Sequence, residues 1–197
     1  MIRGADPRGI LRRGDKHMRI TVVTITCIAV LSSAILAADK PRTSQWTSFA
    51  SPEGRFEILM SGEVKQFPVE VENQFGTSTL HMNVATWDET MLVVNWVDYP
   101  PDVAQDLPEQ LLDDSREAAL DNLGGKLVSE KPIKLGRHDG REILIEVAKQ
   151  DRLFRVRVYL AGSRLYQTVL FGPPKAVKSK EAQKYLDSFK LTDAREK

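Results

Sequence analysis

The chain has 197 residues, of which 42% are hydrophobic, 28% charged and 7% aromatic. This composition is typical of a globular protein and excludes a collagen, a disordered chain and a polytopic membrane protein. The 28 basic and 27 acidic residues nearly balance, so no basic excess would draw the protein onto nucleic acid. The single cysteine, Cys27, excludes an intramolecular disulfide and a thiolate zinc site.

The N-terminal segment, residues 1–38, has the pattern of a secretory signal peptide. A basic start precedes an apolar run over residues 20–38, which ends in Ala37 and Ala38. Met18 lies just before this run and is an alternative true start. An uncleaved membrane anchor is the main alternative, because a helix of this length nearly spans a bilayer. We therefore expect export to the periplasm or the extracellular space, or else anchoring by residues 20–38.

Cleavage after residue 38 would leave a chain without cysteine. Its net charge would be −3, because the segment removed contains six basic and two acidic residues. Stability would then depend on a hydrophobic core rather than on disulfides. We predict a flexible leader over residues 39–45, a single domain over residues 46–192 and a tail over residues 193–197.

The first half of this domain is predicted to form strands and then a helix. The strands cover residues 56–60, 65–71, 77–87 and 91–99. The last of these is apolar on both faces, which predicts a central strand covered on both sides. The helix is predicted to begin with Asp106 as its N-cap, with Pro108 in the first turn, and to end at the glycines 124–125.

The second half is predicted to form an antiparallel meander and a final helix. Apolar and polar residues alternate most clearly over residues 152–160, where Phe154 begins the apolar face. Turns are predicted at residues 139–140, 150–151 and 162–163, and the final helix runs over about residues 179–188. The order of elements predicts an α+β fold, in which helices pack on an antiparallel sheet.

Two short motifs resemble the PsbP-like superfamily, which includes Mog-type and DcrB-type proteins. The opening segments WTSF at 46–49 and SPEGRF at 51–56 are similar to that family's aromatic and Pro-x-Gly-x-Phe start, and YLDSF at 185–189 is similar to its terminal helix. The resemblance covers about residues 46–192. It implies an α-β-α sandwich and a non-catalytic accessory or binding role, and no functional residue of the family can be matched in this chain.

The residues that carry chemistry are sparse. His81 and His138 are predicted on a strand and in a turn, without the spacing that places two metal ligands on one face. The sequence has no Gly-x-Ser-x-Gly elbow. The pair Asp113 and Asp114 is expected to face solvent on the helix. We therefore expect no catalytic residues, no metal site and no cofactor.

The candidate binding patch is cationic and lies on adjacent predicted strands; its residues are Arg152, Arg155, Arg157 and Arg164, with Tyr159. Such a patch would hold an anionic lipid or polysaccharide. Cross-strand pairing of these arginines with Glu142 and Glu146 is the favoured alternative. The large aromatic residues Trp87 and Trp96, like Tyr159, are expected in the core or, alternatively, along a groove.

The functional hypothesis is a non-catalytic binding or accessory module of the cell envelope. Its partner would be a protein or another envelope component, with no nucleic acid. The alternative is a small-ligand carrier or weak hydrolase with a pocket between sheet and helix. A histidine within hydrogen-bond distance of a carboxylate inside such a pocket would favour this alternative.

Overall fold

The structure is a computed structural model and describes residues 45–73 and 76–192. The predicted signal segment, the predicted tail and all but the last residue of the leader lie outside the described residues. Within the described part of the chain, no helix is long and apolar enough to cross a membrane.

Within the described residues, ten strands form two antiparallel sheets. They are β1 Trp46–Ser51, β2 Phe56–Ser61, β3 Lys65–Asn73, β4 Gly76–Trp87, β5 Thr90–Asp98, β6 Lys126–Leu135, β7 His138–Val147, β8 Arg152–Ala161, β9 Arg164–Gly172 and β10 Lys190–Leu191. The large sheet has the order β3-β4-β5-β9-β8-β7-β6, and the small sheet has the order β1-β2-β10. The predicted meander is therefore confirmed, since β6 to β9 pair in sequence.

Four helices in the part of the chain that the structure describes pack on these sheets, which confirms the predicted α+β class. They are α1 Pro101–Asp106, α2 Pro108–Leu123, α3 Pro174–Val177 and α4 Lys180–Asp187, and a 3₁₀ turn covers Ala148–Gln150. Helices α1 and α2 lie between β5 and β6 in the chain, and α3 and α4 lie between β9 and β10.

The large sheet separates two hydrophobic cores. On one face, Val93 and Phe154 pack with Leu111 of α2. On the other face, Trp96 packs with Phe56 of β2, and Tyr185 of α4 belongs to the same core. Strand β5 is buried from residue 90 to residue 97, because alternate side chains enter opposite cores. The prediction of a central strand covered on both sides is confirmed.

Two local boundaries differ from the sequence predictions. Asp106 is the last residue of α1 rather than the cap of α2, whose N-cap position is Leu107 without a side-chain hydrogen bond. The reason is that Pro101 starts a separate short helix with its fixed φ angle. The turn before β7 falls at residues 136–137 instead of 139–140, because Gly136 supplies the positive φ of 58° that a tight turn needs.

Candidate functional site

The structure does not assemble the five predicted patch residues into one surface. Arg155 and Arg157 lie on the same side of β8, and Arg152 lies on the other side of that strand. The Nη1 atom of Arg152 is 3.6 Å from Oε2 of Glu89. Arg164 is at the start of β9 and pairs with Asp98 instead. Tyr159 is only 3% exposed and stacks on Phe189 at a centroid distance of 6.0 Å. Of the predicted set, the structure brings together Arg155 and Arg157, with the buried Tyr159 beside Arg157, and it separates Arg152 and Arg164 from them.

Glu142 of β7 is paired with both of these arginines. Its carboxylate accepts hydrogen bonds from Arg155 Nη2 at 3.0 Å and Arg157 Nε at 2.6 Å, and Lys131 Nζ lies 3.1 Å away. Burial would raise the pKa of Glu142, but the hydrogen bonds from Arg157 and Lys131 and the charge of Arg155 outweigh it and lower the pKa to about 2. The cross-strand pairing expected with Glu142 is present, whereas Glu146 is exposed.

The same arginines join the sheet to helix α4. Arg155 Nη2 donates to Gln183 Oε1 at 2.6 Å, and Arg157 Nη1 donates to Asp187 Oδ1 at 2.8 Å. Gln183 also donates to both oxygens of Asp187. Burial opposes ionisation of Asp187, yet Gln183 and Arg157 together lower its pKa. These charges hold two layers of the protein in place and compensate one another.

A groove of about 510 Å³ lies beside this junction, between β2, α4 and β10. We name it the lysine groove; it is lined by Leu59, Lys180, Gln183, Lys184, Asp187, Ser188 and Lys190. The three lysines are exposed, and among residues 45–73 and 76–192 no carboxylate lies within ion-pair distance of them. The only carboxylate in its lining, Asp187, is already paired with Arg157. The groove therefore presents uncompensated positive charge.

Charge is segregated between the two faces of the large sheet. Residues 101–123, which form α1 and α2 on one face, contain seven acidic residues and one basic residue. Residues 174–191, which form α3, α4 and β10 on the other face, contain five lysines and two acidic residues. Lysines 180 and 184 are one helical turn apart, a spacing visible in the sequence, but the position of Lys190 beside them follows only from the pairing of β10 with β2.

A second groove contains a stack of three planar groups from three strands. The His81 ring of β4 lies parallel to the Trp96 indole of β5, with 3.7 Å between centroids and an interplanar angle of 6°. The guanidinium carbon of Arg164 lies 3.8 Å from the centroid of the same indole. Because both groups contact the ring at van der Waals distance, they occupy its opposite faces, which combines stacking with a cation–π interaction.

Arg164 is fixed by hydrogen bonds from each of its three nitrogens. Nε and Nη2 donate to the two oxygens of Asp98 at 2.6 and 2.7 Å, and Nη1 donates to the carbonyl of Glu53 at 2.7 Å. Tyr166 donates to the neighbouring carbonyl of Gly54 at 2.8 Å. A Cβ atom at Gly54 would collide with the ring of Phe56, so only glycine fits at this position. The β1–β2 turn is therefore held firmly over the end of the sheet.

The groove beside this stack has a volume of about 410 Å³. We name it the tryptophan groove; it is lined by Glu53, Thr77, Ser78, Thr79, His81, Trp96, Asp98 and Arg164. Trp96 thus belongs to the core and also forms part of the groove wall, so both positions expected for this aromatic residue are realised. His81 Nδ1 lies 3.9 Å from Glu53 Oε1, which is longer than a hydrogen bond. No group of three His, Cys, Asp or Glu side chains suited to a metal ion occurs among the described residues.

The predicted solvent exposure of Asp113 and Asp114 holds only in part, since the side chain of Asp113 is 44% exposed and Asp114 is partly buried. Asp113 bonds to Arg141 of β7, which also bonds to Glu109 and Glu130 at 2.7 and 2.8 Å. Asp114 is partly buried, and its Oδ2 has no hydrogen-bond partner among the described residues. Burial and the charges of Asp113 and Glu117 raise the pKa of Asp114 to about 6. Both aspartates are therefore less exposed than the polar sequence of α2 indicates.

No protein-family model and no curated protein matches the chain. Among solved structures, it is similar to cyanobacterial PsbP (CyanoP) from Synechocystis sp. PCC 6803, with 11% identity and a TM-score of 0.46 over 79% of this chain and 97% of that chain. It is also similar to the Saccharomyces cerevisiae Ran-binding protein Mog1p, with 11% identity and a TM-score of 0.41 over 77% and 97%. At these values both similarities concern only the arrangement of strands and helices.

Proposed function

We propose that this chain is an exported, non-catalytic binding module of the cell envelope, which attaches through the lysine groove to an acidic protein partner. The observation that carries this proposal is the uncompensated charge of Lys180, Lys184 and Lys190 around one groove. Export is supported by the basic and then apolar composition of residues 1–38.

The electrostatics favour an anionic partner on this face. The carboxylate of Asp187 is paired with Arg157, so it does not offset the field of the three lysines. Helices α1 and α2 on the opposite face of the large sheet are rich in acidic residues, so the two faces of the protein differ in charge. Such an asymmetry orients the molecule during encounter and favours contact through α4 rather than α2.

The lining of the groove favours a protein partner. The groove is shallow and combines the aliphatic side chain of Leu59 with the three lysines, whose stems are apolar. A protein segment that carries carboxylates beside one apolar side chain matches both the charge and the apolar residue of this lining. The hydroxyl of Ser188 is already engaged with the carbonyl of Tyr185.

A binding role also agrees with the position of the strongly interacting ionisable groups. Glu142, Arg141 and Arg164 each join separate elements through several hydrogen bonds. Groups that are compensated in this way stabilise the fold and are poor proton donors or acceptors for a substrate.

The test measures retention of the purified protein on the envelope fraction of its own cells at increasing salt. The charge-reversed variant K180E/K184E/K190E is expected to bind at least about tenfold more weakly than the wild type, since three exposed ion pairs of about 0.5 kcal/mol each are lost. Treatment of the envelope with protease is expected to remove the binding sites. Fractionation of cells should place the processed chain outside the cytosol.

The matched control is K65E/K126E/K149E, which makes the same charge change at three exposed lysines outside the groove. This variant is expected to bind like the wild type. Equal weakening by both variants would show that only net charge matters and would overturn the role of the groove. Binding that survives protease and transfers to anionic vesicles would overturn the assignment of a protein partner, and an unprocessed chain in the cytosol would overturn export.

A further inference from the structure

We infer that the tryptophan groove is a second binding site, and that its ligand is a neutral, hydroxyl-rich molecule of the size of a short oligosaccharide. This inference concerns a different surface from the lysine groove and does not depend on the proposed function. It rests on the rigidity of the groove, on its charge balance and on the kinds of polar atoms that line it.

The wall of the groove is preorganised. Trp96 and Arg164 are 4% and 7% exposed, and the stack with His81 fixes both faces of the indole. The three bonds of Arg164 to Asp98 and Glu53 connect β9, β5 and the β1–β2 turn. A wall that is ordered before binding loses little conformational entropy when a ligand arrives, so even a few hydrogen bonds suffice for measurable affinity.

The charge balance selects a neutral ligand. The carboxylate of Asp98 and the guanidinium of Arg164 cancel each other in a bidentate pair. The remaining charged group in the lining, Glu53, has a side chain that is 74% exposed and stands at the rim, where water screens its charge. The lining therefore offers no unpaired cation to an anion, and its one unpaired carboxylate, Glu53, lies in water at the rim, where it attracts a cation only weakly.

The polar atoms suit a ligand with several hydroxyl groups. The carboxylates of Glu53 and Asp98 accept hydrogen bonds, and the hydroxyls of Thr77 and Thr79 both donate and accept. The His81 side chain is 26% exposed, so part of a planar ring lies beside these groups and offers an apolar contact to the C–H face of a sugar ring. The volume of about 410 Å³ falls within the range of about 300–1,000 Å³ that is common for small-molecule sites.

The experiment titrates the isotope-labelled full chain with three trisaccharides, maltotriose, cellotriose and N-acetylchitotriose, and follows the indole signal of Trp96 and the ring signals of His81 by NMR. At least one trisaccharide is expected to shift these signals saturably. The variants T79V and E53Q are each expected to weaken that binding about fivefold, the effect of losing one hydrogen bond. The control T86V changes an exposed threonine of the same strand outside the groove and should leave the affinity unchanged.

Two results would overturn the inference. One is the absence of saturable shifts with all three trisaccharides in a protein whose spectrum is that of the folded chain. The other is binding of a lysine-containing tripeptide or of inorganic phosphate at these signals without binding of any trisaccharide. The variant K180E/K184E/K190E should bind the trisaccharide like the wild type, so failure at the lysine groove and failure at the tryptophan groove are distinguishable.

Discussion

Replacement of Glu142 by glutamine tests whether the buried carboxylate holds α4 on the sheet. The side chain of Glu142 is largely buried and contacts Arg155, Arg157 and Lys131. Its pKa falls from 4.5 to about 2 on folding, and at 1.36 kcal/mol per unit this corresponds to roughly 3 kcal/mol of native stability. Because Lys131 is exposed and its contact is screened, we expect the variant E142Q to lose about 2 kcal/mol at pH 7.

The pH dependence has a definite sign. The pKa of Glu142 is lower in the folded protein than in the unfolded chain, so its contribution is fully present above pH 4.5 and is lost as the pH falls towards about 2. The wild type should therefore lose stability in this window more steeply than E142Q, and the two free energies of unfolding should converge at its acidic end. The stability of E142Q will still depend on pH to some extent, since the pKa values of Asp187 and Glu130 are also lowered in the folded protein.

Urea unfolding followed by far-UV circular dichroism, repeated at several pH values, measures both effects. The matched control is E146Q, which makes the same change on the same strand at an exposed position. We expect E146Q to differ from the wild type by less than about 0.5 kcal/mol. If E142Q and E146Q unfolded at the same urea concentration at pH 7, or if E142Q kept the full acid sensitivity of the wild type, this account of the cluster would be refuted.

Three further substitutions test other parts of the structure by the same unfolding measurement. D114N should raise the free energy of unfolding at pH 7 by about 1–2 kcal/mol, because the pKa of Asp114 is raised to about 6 and only its ionised form is penalised in the folded state. The gain in stability should vanish as the pH falls towards 3.8, and a gain that persisted at low pH would contradict this explanation. F154D should prevent folding, since Phe154 is fully buried and an unpaired charge would replace it; a cooperatively melting variant would show that the assignment of its face is wrong. G140A should cost about 1–3 kcal/mol, because a Cβ atom there would meet the Val158 carbonyl and the Tyr159 ring; an unchanged midpoint would contradict that contact.

The sequence predicted the parts of the fold that depend on local periodicity. The alternation over residues 152–160 identifies β8 and its two faces, and the apolar run at 91–99 identifies the central strand, because burial on one or both faces imposes a period that can be read along the chain. The predictions that failed depend on competition between neighbouring signals. Asp106 is a good capping residue, but the proline at 101 starts an earlier helix, and Gly136 forms the turn that the Asp139-Gly140 pair was expected to form.

The candidate sites were less predictable than the fold. The arginines of β8 were identified as a patch or as pairing partners, and strand register decided between these alternatives, since Glu142 lies directly opposite Arg157 and next to Arg155. The lysines of α4 were visible as charges, but their lack of partners depends on the orientation of Asp187 towards Arg157. No local pattern predicted the tryptophan groove.

The amino-acid order by itself therefore determined the alternation of the strands, the apolar stripes of the main helices, the α+β class and the absence of cysteine after residue 38. Only the tertiary structure decided which charges are compensated and which aromatic rings meet. His81, Trp96 and Arg164 come from three strands, and their contact exists because antiparallel pairing places β4, β5 and β9 side by side. The periodicity of a strand or a helix is visible in residues close in the chain, whereas a binding surface depends on distances between residues that are far apart in it.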